Sequence, residues 1–583
     1  MAQEATIVGT VVDPSGAAVP NITVTLTNTD TGLSQTIKSN EAGEYVLPNL
    51  HIGRYTARAE GPGFSTSEKT GLVLNVGDRL RVDFSLKVGA TQERVTVEAN
   101  AVSVQADTGE ISSLMTGSQI GDLAANGRSV FTLEALTPGA SSVQGDFMVP
   151  TSAGSDFNVS FNGQRVVHNL WVIDGGEAAD RGGGGGADVA PSMDAIAEFR
   201  TLTSNYSAEY GTSSAGTMTM VIKSGTKTLH ASAFYSGRND ALDARNYFNP
   251  APNKVAALRF NDWGFNVGGP VSLHPSTSNP KTFFFYNMEW RRYIRGGLFN
   301  VNVPLASMYP DANGNVVLPA TDPGGKAINT LVPVNIATFA PTCPAGSLTP
   351  GQPFPNNTIP ACAVNANAAA LLSAGIFPKP TTGWAFIGGA NQPTFGKEEI
   401  VRVDHTFTDK FSVFGHFIAD QAQQTFGTTM WSGDNMPSIG NTFGNPSYHT
   451  VVHATYMIHP NLLNEVSFNY NGNRIHILPQ GVFAAPSGFT FNRIFTAKND
   501  SNRIPSINLS KQMGDNYTSN WMPWNNTADD YQVRDDLSWV KGSHQLKFGF
   551  SWAIYKKVQD YFANTQGGFT FDASATGFDY ADF

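Results

Sequence analysis

Arg181 is followed by five glycines, Gly182, Gly183, Gly184, Gly185 and Gly186, and then by Ala187 and Asp188. A glycine run can cradle phosphate on its backbone amides, but a nucleotide loop needs Gly-Lys-Ser/Thr opening a helix, or GxGxxG after a strand. Neither is present. Five glycines bury nothing and carry high conformational entropy, so the run reads as a flexible loop with Arg181 and Asp188 at its ends. The segment Gly211–Gly216 (GTSSAG) misses the nucleophile elbow GxSxG because its second glycine comes one residue late. The 11 histidines are scattered, without HExxH or any other helical metal pair. His416, His453, His459 and His544 fall in or beside strand-like segments and read as interface or interior residues. Cys343 and Cys362 lie in a Pro/Asn/Gly-rich stretch with no CxxC partner, which disfavours zinc. In an oxidising compartment they can close one loop disulfide; otherwise they are free thiols. The residues point to no catalytic set, no metal and no cofactor.

The elements that position these residues are strands. Charged residues are 14%, against about 25% in an ordinary soluble domain. Gly (58) and Phe (38) are abundant, yet mean hydropathy is −0.18 and no apolar run approaches the roughly 18 residues of a membrane helix. The net charge of −10, with no Lys/Arg stripe, argues against nucleic acid as a partner. In Gln545–Ile554, Leu546, Phe548, Phe550, Trp552 and Ile554 alternate with Gln545, Lys547, Gly549 and Ser551. Successive strand side chains face opposite ways, so this strand is apolar on one face and wet on the other.

The same grammar recurs in Trp263/Phe265/Val267, Phe284/Tyr286/Met288/Trp290, Val401/Val403/Phe407, Val452/Ala454/Tyr456/Ile458 and Val466/Phe468/Tyr470. About nine or ten candidate spanning strands with long connections follow residue 226, as in a membrane barrel. Stripes of this kind over so many strands favour a barrel over the inner faces of a soluble sandwich. The connection at about 305–395 holds both cysteines and far exceeds an ordinary loop. It is either an extracellular lid pinned by Cys343–Cys362 or an insertion with no ligand contact.

Residues 5–88 read as about seven short strands with turns at Asp13–Gly16 and Glu41–Tyr45, the count of a β-sandwich. The pattern VxGxVxDxxGxxxPxxxVxL…GxYxxxNLxxGxYxxxxxxxGF resembles the carboxypeptidase regulatory-like, transthyretin-like domain. Leu123-Ala-Ala-Asn126-Gly127-Arg128, Leu136-Thr-Pro-Gly139, Leu170–Asp174 and Tyr206–Gly211 resemble, in that order, the plug of TonB-dependent receptors of the Oar-like branch. Ala124 stands where that family usually has proline. The phrases Arg238–Phe248, Lys281–Phe285 with Glu289, Arg402–His405 and Trp539–Gly549 resemble its barrel.

The resemblance implies a mainly β fold: an N-terminal transthyretin-like β-sandwich (1–88), a linker (89–106), an α+β plug domain (107–225) and a partial antiparallel transmembrane β-barrel (226–583). The segment Glu93, Arg94, Val95, Thr96, Val97, Glu98, Ala99 resembles a TonB box; on composition alone it is an extended linker. The implied partners are TonB with its energising inner-membrane complex, the lipid bilayer with lipopolysaccharide, and an extracellular ligand not identifiable from the residues. Arg181, Gly182–Gly186 and Asp188 become plug-loop candidates for ligand contact. The implied place is the outer membrane of a Gram-negative-type bacterium, with the first domain periplasmic. The implied activity is uptake of a bulky oligosaccharide or peptide, in which no bond is made or broken, so the resemblance implies that the protein is not an enzyme; the alternatives are an adhesion or structural protein anchored by the barrel, and a glycan-binding β-protein without transport.

Met1 leads into a strand with no apolar signal region, so the chain is expected to start near a mature N-terminus. A plugged transporter barrel has about 22 strands, so the chain is expected to carry only its first part. The final residues make a poor terminal strand, with Phe578 and Tyr580 on the parity opposite Asp579 and Ala581.

Overall fold

The computed structural model of the chain describes residues 5–89, 94–98, 109–123, 125–142, 159–181, 186–211, 213–245, 255–271, 280–430, 436–459, 461–492, 502–509, 511–519, 522–541 and 544–583. Glu93, Ala99, Ala124 and Gly182–Gly185 therefore lie outside the described residues.

The alternating residues of the first domain form β1 (Ala5–Val12), β2 (Thr23–Asn28), β3 (Ser34–Lys38), β4 (Glu44–Leu50), β5 (Gly53–Glu60), β6 (Thr66–Leu74), β7 (Arg79–Arg81) and β8 (Phe84–Ser85). One sheet has the order β4–β1–β7, with β8 also on β1; the other runs β3–β2–β5–β6. Ile7, Val24, Leu26, Leu47, Ala57, Leu74 and Phe84 are buried together in the core of this domain. The turn before β4 depends on Gly43, whose φ of +73 and 2.5 Å gap between a built Cβ and the Val11 carbonyl exclude a side chain. A ninth strand, β9 (Arg94–Glu98), adds in parallel to the β6 edge. Within the expected linker 89–106, Arg94–Glu98 thus joins the sandwich sheet, because backbone pairing needs no particular side chain.

The next unit contains β10 (Ile111–Thr116), β11 (Ala140–Ser142), β12 (Val159–Phe161), β13 (Leu170–Ile173), β14 (Gly176–Glu177), β15 (Ile196–Ser204) and β16 (Thr217–Ile222). Its main sheet has the order β10–β15–β16–β13–β14. β13 and β16 are buried at every position, and a strand covered on both faces loses simple alternation. The helix Gly117–Asp122 is started by a capping box between Thr116 and Gln119. Ile120, Phe131, Trp171, Phe199, Met218 and Met220 form the plug core, which continues into Phe285, Ile400 and Ile418 of the surrounding wall.

The wall is one antiparallel sheet of ten strands: β17 (His230–Asn239), β18 (Leu258–Pro270), β19 (Thr282–Asn302), β22 (Ala385–Thr408), β23 (Phe411–Phe426), β24 (Ile439–Gly444), β25 (Ser447–His459), β26 (Leu462–Gly481), β29 (Trp524–Lys541) and β30 (His544–Tyr561). Between them lie the short pairs β20 (Val316–Val317) with β21 (Thr358–Ile359) and β27 (Ser506–Leu509) with β28 (Asp515–Tyr517). β24 and β25 pair in turn with β23 and β26, so they form one broken pass. Val401, Val403, Val452, Val466, Phe468, Val533, Phe548, Phe550 and Trp552 are exposed outward, whereas Arg402, Asn469, Asn471 and Asp530 are buried inward. β17 and β30 are the sheet's edges and are not paired with each other among the described residues. No helix among these residues is long and apolar enough to cross a membrane.

Short turns such as Asp409–Lys410 lie at one end of the wall and long connections at the other. The long loop is shorter than expected from sequence. β19 and β22 pair continuously from Thr282–His405 to Asn302–Ala385, so the loop spans 303–384 instead of about 305–395. The ladder carries β22 through Gly388, Gly389 and Pro393, where no alternation marks a strand. The loop has its own core: Val303, Met308, Phe354, Leu371 and Phe377 pack with Ile504, Leu509, Tyr517, Phe578 and Tyr580. The final residues belong to this cap as a short helix, Asp579–Asp582. Asp579 receives the amides of Lys511, Gln512 and Met513 at 3.1, 2.8 and 3.1 Å. Cys343 and Cys362 form a disulfide in the loop, with Cα atoms 4.9 Å apart.

Candidate functional site

The seam between plug and wall holds several buried ion pairs. At the end of β13 the Asp174 carboxylate is fully buried. It accepts Arg402 Nη1 at 3.0 Å and faces His416 Nδ1 at 2.5 Å. His416 Nε2 lies 2.8 Å from His449 Nδ1. Burial alone would raise the Asp174 carboxyl, but Arg402 and His416 outweigh it and hold the group below the usual carboxylate range. Arg402 also donates to the Ile222 carbonyl at 3.0 Å, so one wall side chain grips two adjacent plug strands. Sequence reading noted Asp174 and Arg402 only inside family phrases and treated His416 as solitary.

A second contact set surrounds the turn Asn126–Gly127–Arg128. Arg128 pairs with Asp194 within the plug and with Asp262 of β18 at 3.2 Å. Its guanidinium lies 4.3 Å from the Phe234 ring centroid. Ser192 donates its hydroxyl to Glu289 and its amide to Glu398 at 3.0 Å. Arg291 balances Glu289 at 2.5 Å. These residues come from four wall strands and two plug turns, and spacing alone could not assemble them.

The glycine-loop ends lie against β26 and β29. Arg181 bridges Glu177 at 2.5 Å and Asp530 at 3.1 Å. Asp188 is buried, its amide donating to Ala178 at 2.8 Å and its carboxylate 3.4 Å from Asn473 Nδ2. Burial raises the Asp188 carboxyl well above its usual range, and Asp180 adds to the rise. The Gly186 carbonyl accepts the Asp180 amide at 2.8 Å. In the GTSSAG segment Ser213 Oγ donates to the His168 carbonyl at 2.8 Å, and Ser214 Oγ lies 2.9 Å from His168 Nδ1. Among the described residues no group of three or more His, Cys, Asp or Glu is placed to hold a metal.

The sandwich touches the plug at the loop between β6 and β7. Glu198 accepts the Val76 amide at 2.6 Å, and Arg200 pairs with Asp78 at 3.1 Å. A cavity of about 720 Å³ lies between the sandwich and the turn end of the wall, lined by Leu47, Ile52, Phe283, Arg402, Asp404 and Phe414. Of the TonB-box candidates, Arg94–Glu98 form β9 on the sandwich.

Comparison with known proteins accords with this architecture. The carboxypeptidase regulatory-like domain family matches residues 6–87. The outer membrane beta barrel domain family matches residues 221–583. The TonB-dependent transporter Oar of Myxococcus xanthus is 26% identical over 338 residues, 55% of this chain and 29% of that protein. Among solved structures, the outer membrane transporter YddB from Escherichia coli is 10% identical with a TM-score of 0.44, covering 77% of this chain and 48% of its own. The ferric enterobactin receptor PfeA from Pseudomonas aeruginosa, as a mutant, is 12% identical with a TM-score of 0.40, covering 76% and 49%. The chain thus spans under a third of the curated relative and about half of these solved chains. Carrying a carboxypeptidase regulatory-like domain ahead of its plug, the chain belongs to the outer membrane beta barrel domain family, is a homologue of the TonB-dependent transporter Oar, and resides in the outer membrane.

Proposed function

We propose that the protein is a TonB-dependent receptor that takes up a bulky solute across the outer membrane. The observation that carries this reading is the seam at Asp174: the plug is held in the wall by buried ion pairs and hydrogen bonds that can open and reform. Ligand binds at the cap and the plug loop. TonB then draws on Glu93–Ala99 from the periplasm and shifts the plug. Arg181 exchanges Asp530 for ligand, while Gly182–Gly186 and Asp188 accommodate the movement. The Cys343–Cys362 disulfide pins the cap as a lid. The protein makes and breaks no bond of its substrate, an oligosaccharide or a peptide. The sandwich offers no sugar platform, since Tyr45 and Tyr55 are 3% and 5% exposed.

Deleting Glu93–Ala99 tests the reading in cells. Loss of crosslinking to TonB, with cell-surface assembly intact, is the expected result. Unchanged crosslinking and solute uptake would make the barrel an anchor for adhesion instead.

A further inference from the structure

Arg94–Glu98 is held by the sandwich before any partner arrives. β9 lies parallel to β6 over the register Thr66–Arg94 to Thr70–Glu98. It is the last strand of the sheet β3–β2–β5–β6–β9, so one of its two edges is committed to β6. The sandwich itself does not need this strand. β9 lies beyond residues 6–87, which match the carboxypeptidase regulatory-like domain. The eight strands before it already enclose a core running from Ala5 to Leu86. The half of β6 that carries β9 is suited to being uncovered. Thr66, Ser67, Glu68, Lys69 and Thr70 include no apolar residue, although Thr66, Ser67 and Glu68 are buried. Leu72 and Leu74, the apolar residues that β6 gives to the core, lie outside the register with β9. Thr66 and Thr70 pair with β9 and not with β5. Loss of β9 therefore bares backbone and polar side chains on β6 without apolar surface, which is where the main cost of exposure would lie. Glu68 and Lys69 then guard the bared edge against stray strands.

We propose that the β6 edge is a berth that withholds Arg94–Glu98 from TonB: the segment is either zipped to β6 or engaged by the partner, and not both. A partner that captures an extended segment and draws on it needs that backbone free, and β6 occupies one whole edge of it. Release is within reach, because a parallel ladder is the weaker kind per residue. Return is favoured as well, because the chain just before β9 stays anchored beside the start of β6. The Lys87 carbonyl accepts the Ser65 amide at 2.9 Å, and the Gly89 amide donates to the Gly63 carbonyl at 3.2 Å. Residues 90–93 alone connect Gly89 to β9, so a freed strand meets β6 as an intramolecular partner at an effective concentration on the order of millimolar. Capture is weakened in proportion to the fraction of molecules in which the segment is free. The receptor at rest thus shows its partner a folded sheet instead of a loose segment. The berth rests on the transporter reading for the identity of the partner; the ladder itself belongs to this chain.

Capture of the isolated periplasmic domain of TonB by the receptor in lipid vesicles tests it. Ser67→Cys/Val95→Cys and, separately, Lys69→Cys/Val97→Cys place cysteines at directly paired positions, so oxidation locks β9 to β6. Each double variant is expected to capture the domain when reduced and to lose capture when oxidised. The reductant also opens Cys343–Cys362, so the native protein under the same reductant is the reference. In the native protein, hydrogen exchange at the Thr66 and Thr70 amides is expected to speed up when the domain binds. Equal capture by the oxidised and reduced forms overturns the berth, as does unchanged exchange at Thr66 and Thr70 on binding; either result means that the partner adds to the outer edge of β9. Where the cysteines themselves abolish capture, the exchange in the native protein decides. Failure of the transporter reading shows differently: the native protein then fails to capture the domain, or captures it as well after Val95→Pro, and the berth falls with it. Capture that is lost in Val95→Pro yet indifferent to the lock sinks the berth alone.

Discussion

The Asp174 carboxylate of the plug is shared between Arg402 and His416 of the wall, residues 228 and 242 positions further along the chain. All three side chains are buried, so removing Asp174 takes the acidic partner from His416 and leaves Arg402 with Asp404 alone. Asp174→Ala is expected to weaken plug docking by about 3–5 kcal/mol. The check is the urea midpoint for protease cleavage of the plug, with heat-modifiable migration reporting an intact wall.

Glu198 makes sandwich docking depend on pH. Its carboxyl is pushed up to about 7, first by burial and further by Asp78, against the Val76 amide and Arg200. The docked state therefore keeps a proton that a released carboxyl, at its ordinary value of 4.5, has given up. Docking is firmest below 4.5, weakens as pH rises towards about 7, and is flat above that. Hydrogen exchange at the Val76 amide should follow this course, corrected for intrinsic rates. Glu198→Gln should abolish the dependence.

Glu134 is fully buried and neither of its carboxylate oxygens has a hydrogen-bond partner. Burial holds its carboxyl well above the usual range. Glu134→Met removes an unsatisfied group at similar volume and is expected to stabilise the plug by about 1–3 kcal/mol. The native acid is most favourable when protonated, so the gain from methionine grows as pH rises. Thermal melts at pH 5 and pH 8 read the difference.

Phe468 on β26 is 41% exposed on the outward face, while its neighbour Asn469 is 3% exposed and donates to the Glu177 carbonyl of the plug at 2.7 Å. Phe468→Arg places a charge in hydrocarbon and should cost about 2–4 kcal/mol of wall stability. Asn469→Ala should leave the wall intact and loosen the plug. Unfolding in lipid vesicles separates the two effects.

Reduction of Cys343–Cys362 opens a loop with a sequence separation of 19. The chain-entropy gain corresponds to about 3 kcal/mol of lost stability, confined to the cap. Faster proteolysis within 303–384 with an unchanged wall is the expected result.

The sequence by itself determined what each segment is. Strict alternation from Leu546 to Ile554 admits only a strand with one apolar and one polar face, since period two places every second side chain together. Glycines such as Gly43 mark turns because only glycine enters that backbone region cheaply. Those local signals were enough for a mainly β chain with a sandwich-like first domain and a strand-rich wall, whereas the plug was expected only from resemblance to TonB-dependent receptors. The tertiary structure decided which polar residues meet. Asp174 with Arg402, Arg181 with Asp530 and Glu198 with Val76 are pairings across hundreds of residues or between domains, and no local period encodes them. It also decided what Arg94–Glu98 does, because a β-ladder is made by backbone groups that every residue carries. For the same reason the last residues, Phe578–Phe583, had a visible misfit as a barrel strand but no visible home. Their place in the cap depends on Met308, Phe377 and Lys511–Met513, which fold brings to them from elsewhere in the chain.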